Sequence, residues 1–398
     1  MNGERLSRRR ALSLVSAAGI GVLAGCTGGT DESDEAGNGT EAGDDGGNAN
    51  GDDEPVAETE SAVDTPYEVC MDPMGCHEFD AVPETWVTND GIYADIGVAL
   101  DVADGLEGLG EPHRYYTGYY DELPGVSLEK ETLPELSPDR SADRELFYEL
   151  DVDLHVIDPK RMEHTFGLDE DDVEELEENV APFFASYMRH RNDDWQQDYE
   201  YYDLFEGFER MAEVFQRQER FEQFRTFYDE FLENVQSRIP DEGPEVLIVR
   251  AIGDEPEEFF PRYIDDEANF VKRWRDLNVQ DNLEGSGIPE WGTRLDYETL
   301  AELDPEIIVA EGQHDDDITL DEQRFEDVLV SHMESHPLGE SITAVREGQI
   351  YPGGINYEGP ITLLFQTEMA AKQVYPEEFT EDELFDREEL AAIITGDA

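Results

Sequence analysis

Lysine is nearly missing from this 398-residue chain: only Lys130, Lys160, Lys272 and Lys372 occur, and all basic residues together number 27 against 100 acidic ones. The formal net charge is -73 at pH 7. With no basic stripe to neutralise phosphates, nucleic acid is excluded as a partner. The acid is spread along the whole chain rather than gathered in a tail, and self-repulsion on that scale destabilises a compact state unless cations screen it. At molar salt the Debye length is about 3 Å. The composition therefore implies a halophilic protein, built for concentrated salt.

Catalytic signatures are lacking as well. The chain holds no Gly-x-Ser-x-Gly elbow, no His-Glu-x-x-His and no phosphate-binding Gly-rich loop, so an enzyme has no positive sign, a secreted hydrolase is a remote reading and no cofactor is called for. The eight histidines are scattered. Their best cluster, His314-Asp315-Asp316-Asp317, reads as a solvated acidic loop, and a binding protein for a bare metal ion is the weaker alternative.

Cysteine occurs three times, at Cys26, Cys70 and Cys76. Cys26 closes an uncharged stretch, Ala11 to Gly25, that is too short to span a bilayer and follows Arg8-Arg9-Arg10. Ser7 to Leu12 resembles a twin-arginine export signal, and Leu23-Ala24-Gly25-Cys26 resembles the lipobox at which a lipoprotein is cut and lipidated on its new N-terminal cysteine. Residues 1–26 are thus expected to be a signal peptide, with Cys26 the lipidation site. Residues 27–66 contain no Lys or Arg and almost no large apolar side chain. Nothing there offsets ordering entropy, so an acidic, disordered tether is expected, with Asn38-Gly39-Thr40 as an accessible glycosylation sequon. Cys70 and Cys76 lie beyond it and are candidates for a short-loop disulfide, the alternatives being two buried thiols or a metal site shared with His77.

What the remainder does have is an alternation of short apolar runs with helical stretches, which argues for α/β layers with mainly parallel sheets. Strands are expected at Thr85 to Val87, Leu154 to Ile157, Val246 to Val249 and Ile307 to Ala310. From Leu204 to Ile239 the apolar positions Leu204, Phe208, Met211, Phe215, Phe221, Phe224, Phe227, Phe231 and Val235 recur near spacings of three and four, predicting one long amphipathic helix. Pro240 and Gly243-Pro244 end it. With α/β material on both sides it reads as a spine (204–240) joining an N-terminal lobe (67–203) to a C-terminal lobe (241–398).

An internal echo supports two lobes. The run from Glu145 to Val156 repeats in pattern from Glu298 to Val309, one copy on each side of the spine, and each copy reads as a short helix, a tight acidic turn and a buried strand. A leading acid, Glu145 or Glu298, would start each helix.

These units resemble the helix-turn-strand elements of the periplasmic binding proteins that serve ferric-siderophore and cobalamin ABC importers. Val82 to Val87 resembles that family's entry into its first strand, Ala94 to Leu109 the helix and turn that follow, Leu338 to Pro352 its C-terminal strand, and Gly359-Pro360 into Leu364 with Val374 to Phe379 its closing helices. The likeness covers most of residues 75–385, with Val152 standing where the family usually has Pro and the acidic, aromatic stretch 163–202 outside it.

The resemblance implies two Rossmann-like α/β lobes with a ligand cleft between them, in a monomer that captures a ferric siderophore and passes it to an ABC permease. Cobalamin, haem or a bare metal ion are the alternatives within that class. One carboxylate on each lobe, Glu145 and Glu298, would dock on permease arginines. Placement outside the cytoplasm, anchored to the membrane by lipid alone, follows. For the cleft, the likeness points to Tyr115, Tyr116, Tyr119 and Tyr120 in an N-lobe loop, to Arg250 at the mouth of the first C-lobe strand, to Arg262 and Tyr263 beyond it and to Trp291. Aromatic faces with hydroxyl tips suit a chelate of mixed polarity, and arginine would pair with an anionic one.

Overall fold

The computed structural model describes residues 65–191, 193–253, 256–264, 268–289 and 292–397. The export signal, Cys26, nearly all of the tether and Trp291 lie outside them. A hairpin comes first, β1 (Tyr67–Met71) against antiparallel β2 (Gly75–Phe79), with Cys70 and Cys76 opposite each other and joined as a disulfide.

The first lobe is built on three parallel strands in the order β4 (Leu106–Leu109), β3 (Trp86–Thr88), β5 (Leu154–Val156). Between β3 and β4 runs α1 (Gly91–Ala99), whose start is fixed by the Asp90 side chain accepting from Ile92 N. Its sequence is apolar nearly all round, and accordingly all nine residues are buried. Gly97 is required for that fit, because a Cβ there would stand 2.5 Å from the Trp86 indole. Three further helices, α2 (Arg144–Leu150), α3 (Pro159–Thr165) and α4 (Glu170–Asn179), cover this lobe.

The segment expected to form a single spine is two helices, α5 (Leu204–Val214) and α6 (Gln218–Gln236), broken at Gln216, which takes a left-handed φ of 53°. They fold back on each other. Phe208 meets Phe221 and Phe224 with ring centroids 5.1 and 5.4 Å apart, and Phe205 meets Tyr228 at 4.5 Å. The reason is visible in the spacing: Phe221 comes six positions after Phe215, while the intervening i+3 and i+4 positions are Gln218 and Glu219. At about 100° per residue a straight helix would carry the two phenylalanines to different faces. Breaking the helix lets the two aromatic stripes bury one another.

The second lobe has a six-stranded sheet in the order β11 (Ile350–Ile355), β10 (Ile307–Gly312), β6 (Glu245–Ala251), β7 (Glu258–Arg262), β9 (Leu295–Asp296), with β8 (Gln280–Asp281) also on β6. β11, β10, β6 and β8 run parallel, while β7 is antiparallel to β6 and to β9. All four expected strands are present as parallel, largely buried strands (β3, β5, β6 and β10). Helices α7 (Lys272–Asp276), α8 (Tyr297–Leu303), α9 (Pro360–Val374) and α10 (Arg387–Thr395) complete the part that concerns the site. One apolar core passes beneath both sheets, from Trp86 and Leu154 through Phe208 and Phe224 to Val246, Val309, Leu364 and Leu390. Smaller clusters lie within each lobe.

Candidate ligand cleft

The carboxyl ends of the parallel strands of both lobes face one seam. From the first lobe come Asn89 after β3, Glu111 to Arg114 after β4, and Asp158 and Arg161 after β5. From the second come Arg250 at the end of β6 and Asn356 and Tyr357 after β11, joined by Arg262 of antiparallel β7, which is near enough to His190 to act on its imidazole. The segment after α4 adds Tyr187, Arg189 and His190.

Polar contacts tie the two sides together. Arg114 Nη1 donates to the Tyr357 hydroxyl at 2.6 Å, Arg189 Nε to the Asn356 carbonyl at 3.1 Å, and Asp315 N to the His113 carbonyl at 2.8 Å. Lys130 Nζ pairs with Asp315 at 2.6 Å. The Arg189 guanidinium lies 4.6 Å from the Tyr357 ring centre, and that of Arg161 lies 3.8 Å from Tyr187. Glu111 sits between Arg114 (3.0 Å) and Arg161 (3.6 Å).

Positive charge therefore gathers at this seam in a chain that has little of it elsewhere. His190 shows the effect: burial first, then Arg189, Arg161 and Arg262, push its imidazole down to about 2. Arg250 is held below the usual arginine range by burial and by repulsion from Arg114 and Arg189, against the attraction of Asp317. Burial raises Asp90 despite the pull of Arg161. Asn89 Nδ2, Arg161 Nε, Arg250 Nε and both amide atoms of Asn356 are buried and have no hydrogen-bond partner among the described residues. A seam rich in donors and in arginine can accept a ligand that carries negative charge and many acceptor oxygens.

Beneath it the Arg273 guanidinium, fully buried, bonds Glu358, Glu311 (2.6 Å) and the Gly353 carbonyl (2.8 Å). Two carboxylates share one cation here, and burial, reinforced by the charge of Glu311 and opposed by Arg273, pushes Glu358 up to about 8.

The expected tyrosines divide. Tyr115 and Tyr120 are buried, and their hydroxyls bond each other and, from Tyr120, the carboxylate of Asp95. Tyr119 stacks on Phe365 of α9 with ring centroids 5.0 Å apart, and Tyr116 packs edge-on against Tyr119 at 4.9 Å. Arg250 and Arg262 stand at the seam, but Tyr263 donates to the Ile288 carbonyl at 2.5 Å, on a separate loop. Arg114, Arg161, Arg189 and Tyr357 were not singled out in the sequence. Two of these arginines had a usable signal: Arg114 immediately precedes the tyrosine loop, and Arg189 lies in the 163–202 stretch that is otherwise acidic.

Glu145 and Glu298 are both exposed, on α2 and α8. The two helices are local copies. Asp143 and Asp296 cap them, two residues before each glutamate, and Asp151 and Asp304 close them with φ of 48° and 43° before β5 and β10 begin. The caps are these aspartates and not the leading glutamates, so the glutamate side chains have no capping bond to make.

Residues 87–354 match the family described as Periplasmic binding protein. The chain belongs to that family. Periplasmic binding proteins act outside the cytoplasm and present small molecules to ABC permeases; they are binding proteins, not enzymes. Solved periplasmic binding proteins share the fold at low identity. The petrobactin-binding protein YclQ of Bacillus subtilis superposes with a TM-score of 0.54 at 13% identity, covering 80% of this chain and all of its own. Helicobacter pylori Ceue with Ni(II) bound gives 0.55 at 13%, covering 83% and 96%. The periplasmic heme binding protein HutB of Vibrio cholerae gives 0.52 at 11%, covering 74% and 100%. No curated relative matches by sequence. Among the described residues no helix is long and apolar enough to cross a membrane.

Proposed function

We propose that this periplasmic binding protein is a lipid-anchored capture protein for an anionic iron chelate, a ferric siderophore, held between its lobes and delivered to an ABC permease. The observation that carries the reading is the convergence of Arg114, Arg161, Arg189, Arg250 and Arg262 on one seam, with Asn89 and Asn356 beside them, in a chain whose net charge is -73. An anion approaching from bulk solvent is repelled by the rest of the surface and held only there. Hydrogen bonds between arginine and ionised oxygens are about twice as strong as neutral ones, and the fork geometry suits carboxylate and catecholate oxygens alike. Solved proteins of the same fold, the petrobactin-binding protein YclQ and the siderophore binding protein BauB bound to acinetobactin and ferric iron, agree with this class.

Twin-arginine export, lipidation at Cys26 and docking through Glu145 and Glu298 complete the reading. The test is titration of the protein, from residue 67 onward and in about 2 M KCl, with a ferric tris-catecholate (net negative), a neutral ferric hydroxamate, haem, cobalamin and Ni²⁺ or Zn²⁺ alone, followed by calorimetry and absorption. One-to-one binding of the anionic chelate, at least about tenfold tighter than the neutral one, supports the reading. Preference for haem, cobalamin or a bare metal ion would replace the siderophore with that ligand.

A further inference from the structure

The carboxylate of Asp95, from the first lobe, sits on the N-terminus of α9, in the second. Helix α9 has Gly359 at its cap, which offers no side chain, and Pro360 at its first position, which has no N–H. The first amides that need a partner are those of Ile361 and Thr362, and Asp95 Oδ2 accepts from both, at 2.8 and 3.2 Å. The Thr362 hydroxyl adds a contact to Oδ1 at 3.4 Å. Gly359 makes the approach possible, since a Cβ there would stand 2.3 Å from that of Asp95. Asp95 is fully buried. A helix is thus capped by a side chain 266 positions away in the sequence, on the other lobe.

The same carboxylate receives the Tyr120 hydroxyl, which is bonded in turn to Tyr115. Tyr115 follows Arg114, and Gly359 is two residues past Tyr357, the residue Arg114 grips across the seam. The Arg114–Tyr357 bond and the Asp95–α9 cap therefore hold the same 357–362 segment from two places in the first lobe, the loop after β4 and helix α1.

We infer that Asp95 is a positioning residue for ligand capture, a proton-sensitive clasp that sets the spacing of the lobes by capping α9 and answers to the cleft loop through Tyr120. The inference rests on capture between the lobes as proposed above. Burial raises the Asp95 carboxyl to about 6, against the lowering effect of Tyr120, the Thr362 and Ile361 amides and the Thr362 hydroxyl. The titratable groups facing it are Tyr120 and, through it, Tyr115, both pushed by burial well above the ordinary tyrosine range. Helix α9 presents only amides and a hydroxyl. Lys130 reaches the Tyr115 carbonyl, not the carboxylate. A solvated Asp95 would titrate near 3.8. The clasped arrangement therefore holds its proton more tightly than an open one, so the clasp is favoured most below about pH 3.8, weakens as pH rises to about 6 and changes no further above that.

The experiment uses the folded chain from residue 67 with Asp95→Asn and Asp95→Ala. Hydrogen exchange at Ile361 and Thr362 is followed from pH 4 to 8 after correction for intrinsic exchange, and ferric tris-catecholate affinity is measured over the same range. In the parent protein, protection and affinity should both fall as pH rises from about 4 to about 6 and level off above that. Asp95→Asn, which keeps an acceptor, should retain protection with a flat pH profile; Asp95→Ala should exchange about tenfold faster at those two amides at every pH, the loss expected for one or two hydrogen bonds. A fall between about pH 4 and 6 that survives in Asp95→Asn overturns the proposal. If Asp95→Ala does not fold, Thr362→Val with Asp95→Asn decides the matter by the same exchange readout. Failure of every form to bind the probe removes the siderophore reading, and the exchange profile alone then upholds or overturns the clasp.

Discussion

Arg114 donates to the hydroxyl of Tyr357 at 2.6 Å, and the two residues belong to different lobes. On the function proposed above, closing the seam and gripping a ligand draw on the same guanidinium. An anionic ligand that engages Arg114 competes with Tyr357 unless the tyrosine hydroxyl also turns to the ligand. Arg114→Gln should weaken binding of the ferric tris-catecholate by about 10- to 100-fold, the range for losing a charge-assisted hydrogen bond, while leaving a neutral hydroxamate nearly unaffected. Tyr357→Phe should change affinity less. Calorimetry in high salt checks both, and equal losses for charged and neutral chelates would sink the assignment of Arg114 to anion recognition.

Exposed Glu145 and Glu298 make no capping bond, since Asp143 and Asp296 do that work. Glu145→Ala and Glu298→Ala should therefore leave the melting temperature and the ligand affinity unchanged, because surface carboxylates without a structural partner contribute little. Iron-chelate uptake by cells should fall in each and further in the pair. Full uptake by the double variant would remove these residues from the docking surface.

Glu358 offers a pH prediction with a definite sign. Its folded pKa, about 8, lies above the ordinary 4.5, chiefly through burial. The folded state consequently holds a proton that the unfolded state releases, so this group's contribution to stability is fully present below about pH 4.5 and is lost as pH rises to about 8. Glu358→Gln removes that dependence. The difference in melting temperature between Glu358→Gln and the parent should grow in favour of the glutamine from pH 5 to 8 and then level off. A difference that stays constant with pH would show that Glu358 is ionised throughout, held by Arg273.

At Gln216 the chain turns through a left-handed conformation that β-branched residues adopt poorly. Gln216→Val should destabilise the fold by about 1–2 kcal/mol, whereas Gln216→Gly, which suits the conformation, should stay within about 0.5 kcal/mol of the parent or exceed it. Thermal unfolding in constant high salt distinguishes them. A valine variant as stable as the parent would mean that α5 and α6 can join as one straight helix.

How far the fold was legible depended on burial. β3, β5, β6 and β10 were found at their places because parallel strands covered on both faces read as continuous apolar runs. The break at Gln216 was missed because a stripe with nine apolar positions looks periodic even when its phase slips between Phe215 and Phe221. The cleft was the least legible part. Arg161 lies just beyond β5 and Arg189 in the segment after α4, where no periodicity marks them, and Arg161 comes near Arg114 because β4 and β5 end on the same edge of one sheet. Tyr115 and Tyr120 carried the aromatic character expected of ligand contacts. Their direction is nevertheless set by Asp95, earlier in the chain, and by the start of α9, far later.

The apolar core that runs unbroken beneath both sheets also limits how the molecule can yield to force. Two blocks on a bare hinge can swing wide at small cost, but parting these lobes fully would expose the rings of Phe208 and Phe224 to water. The protein should flex as a notched beam does, with the notch widening by a small amount while the back stays intact. On the docking and ligand proposed above, a permease pulling on α2 and α8 would then have a short stroke and a stiff spring to work against.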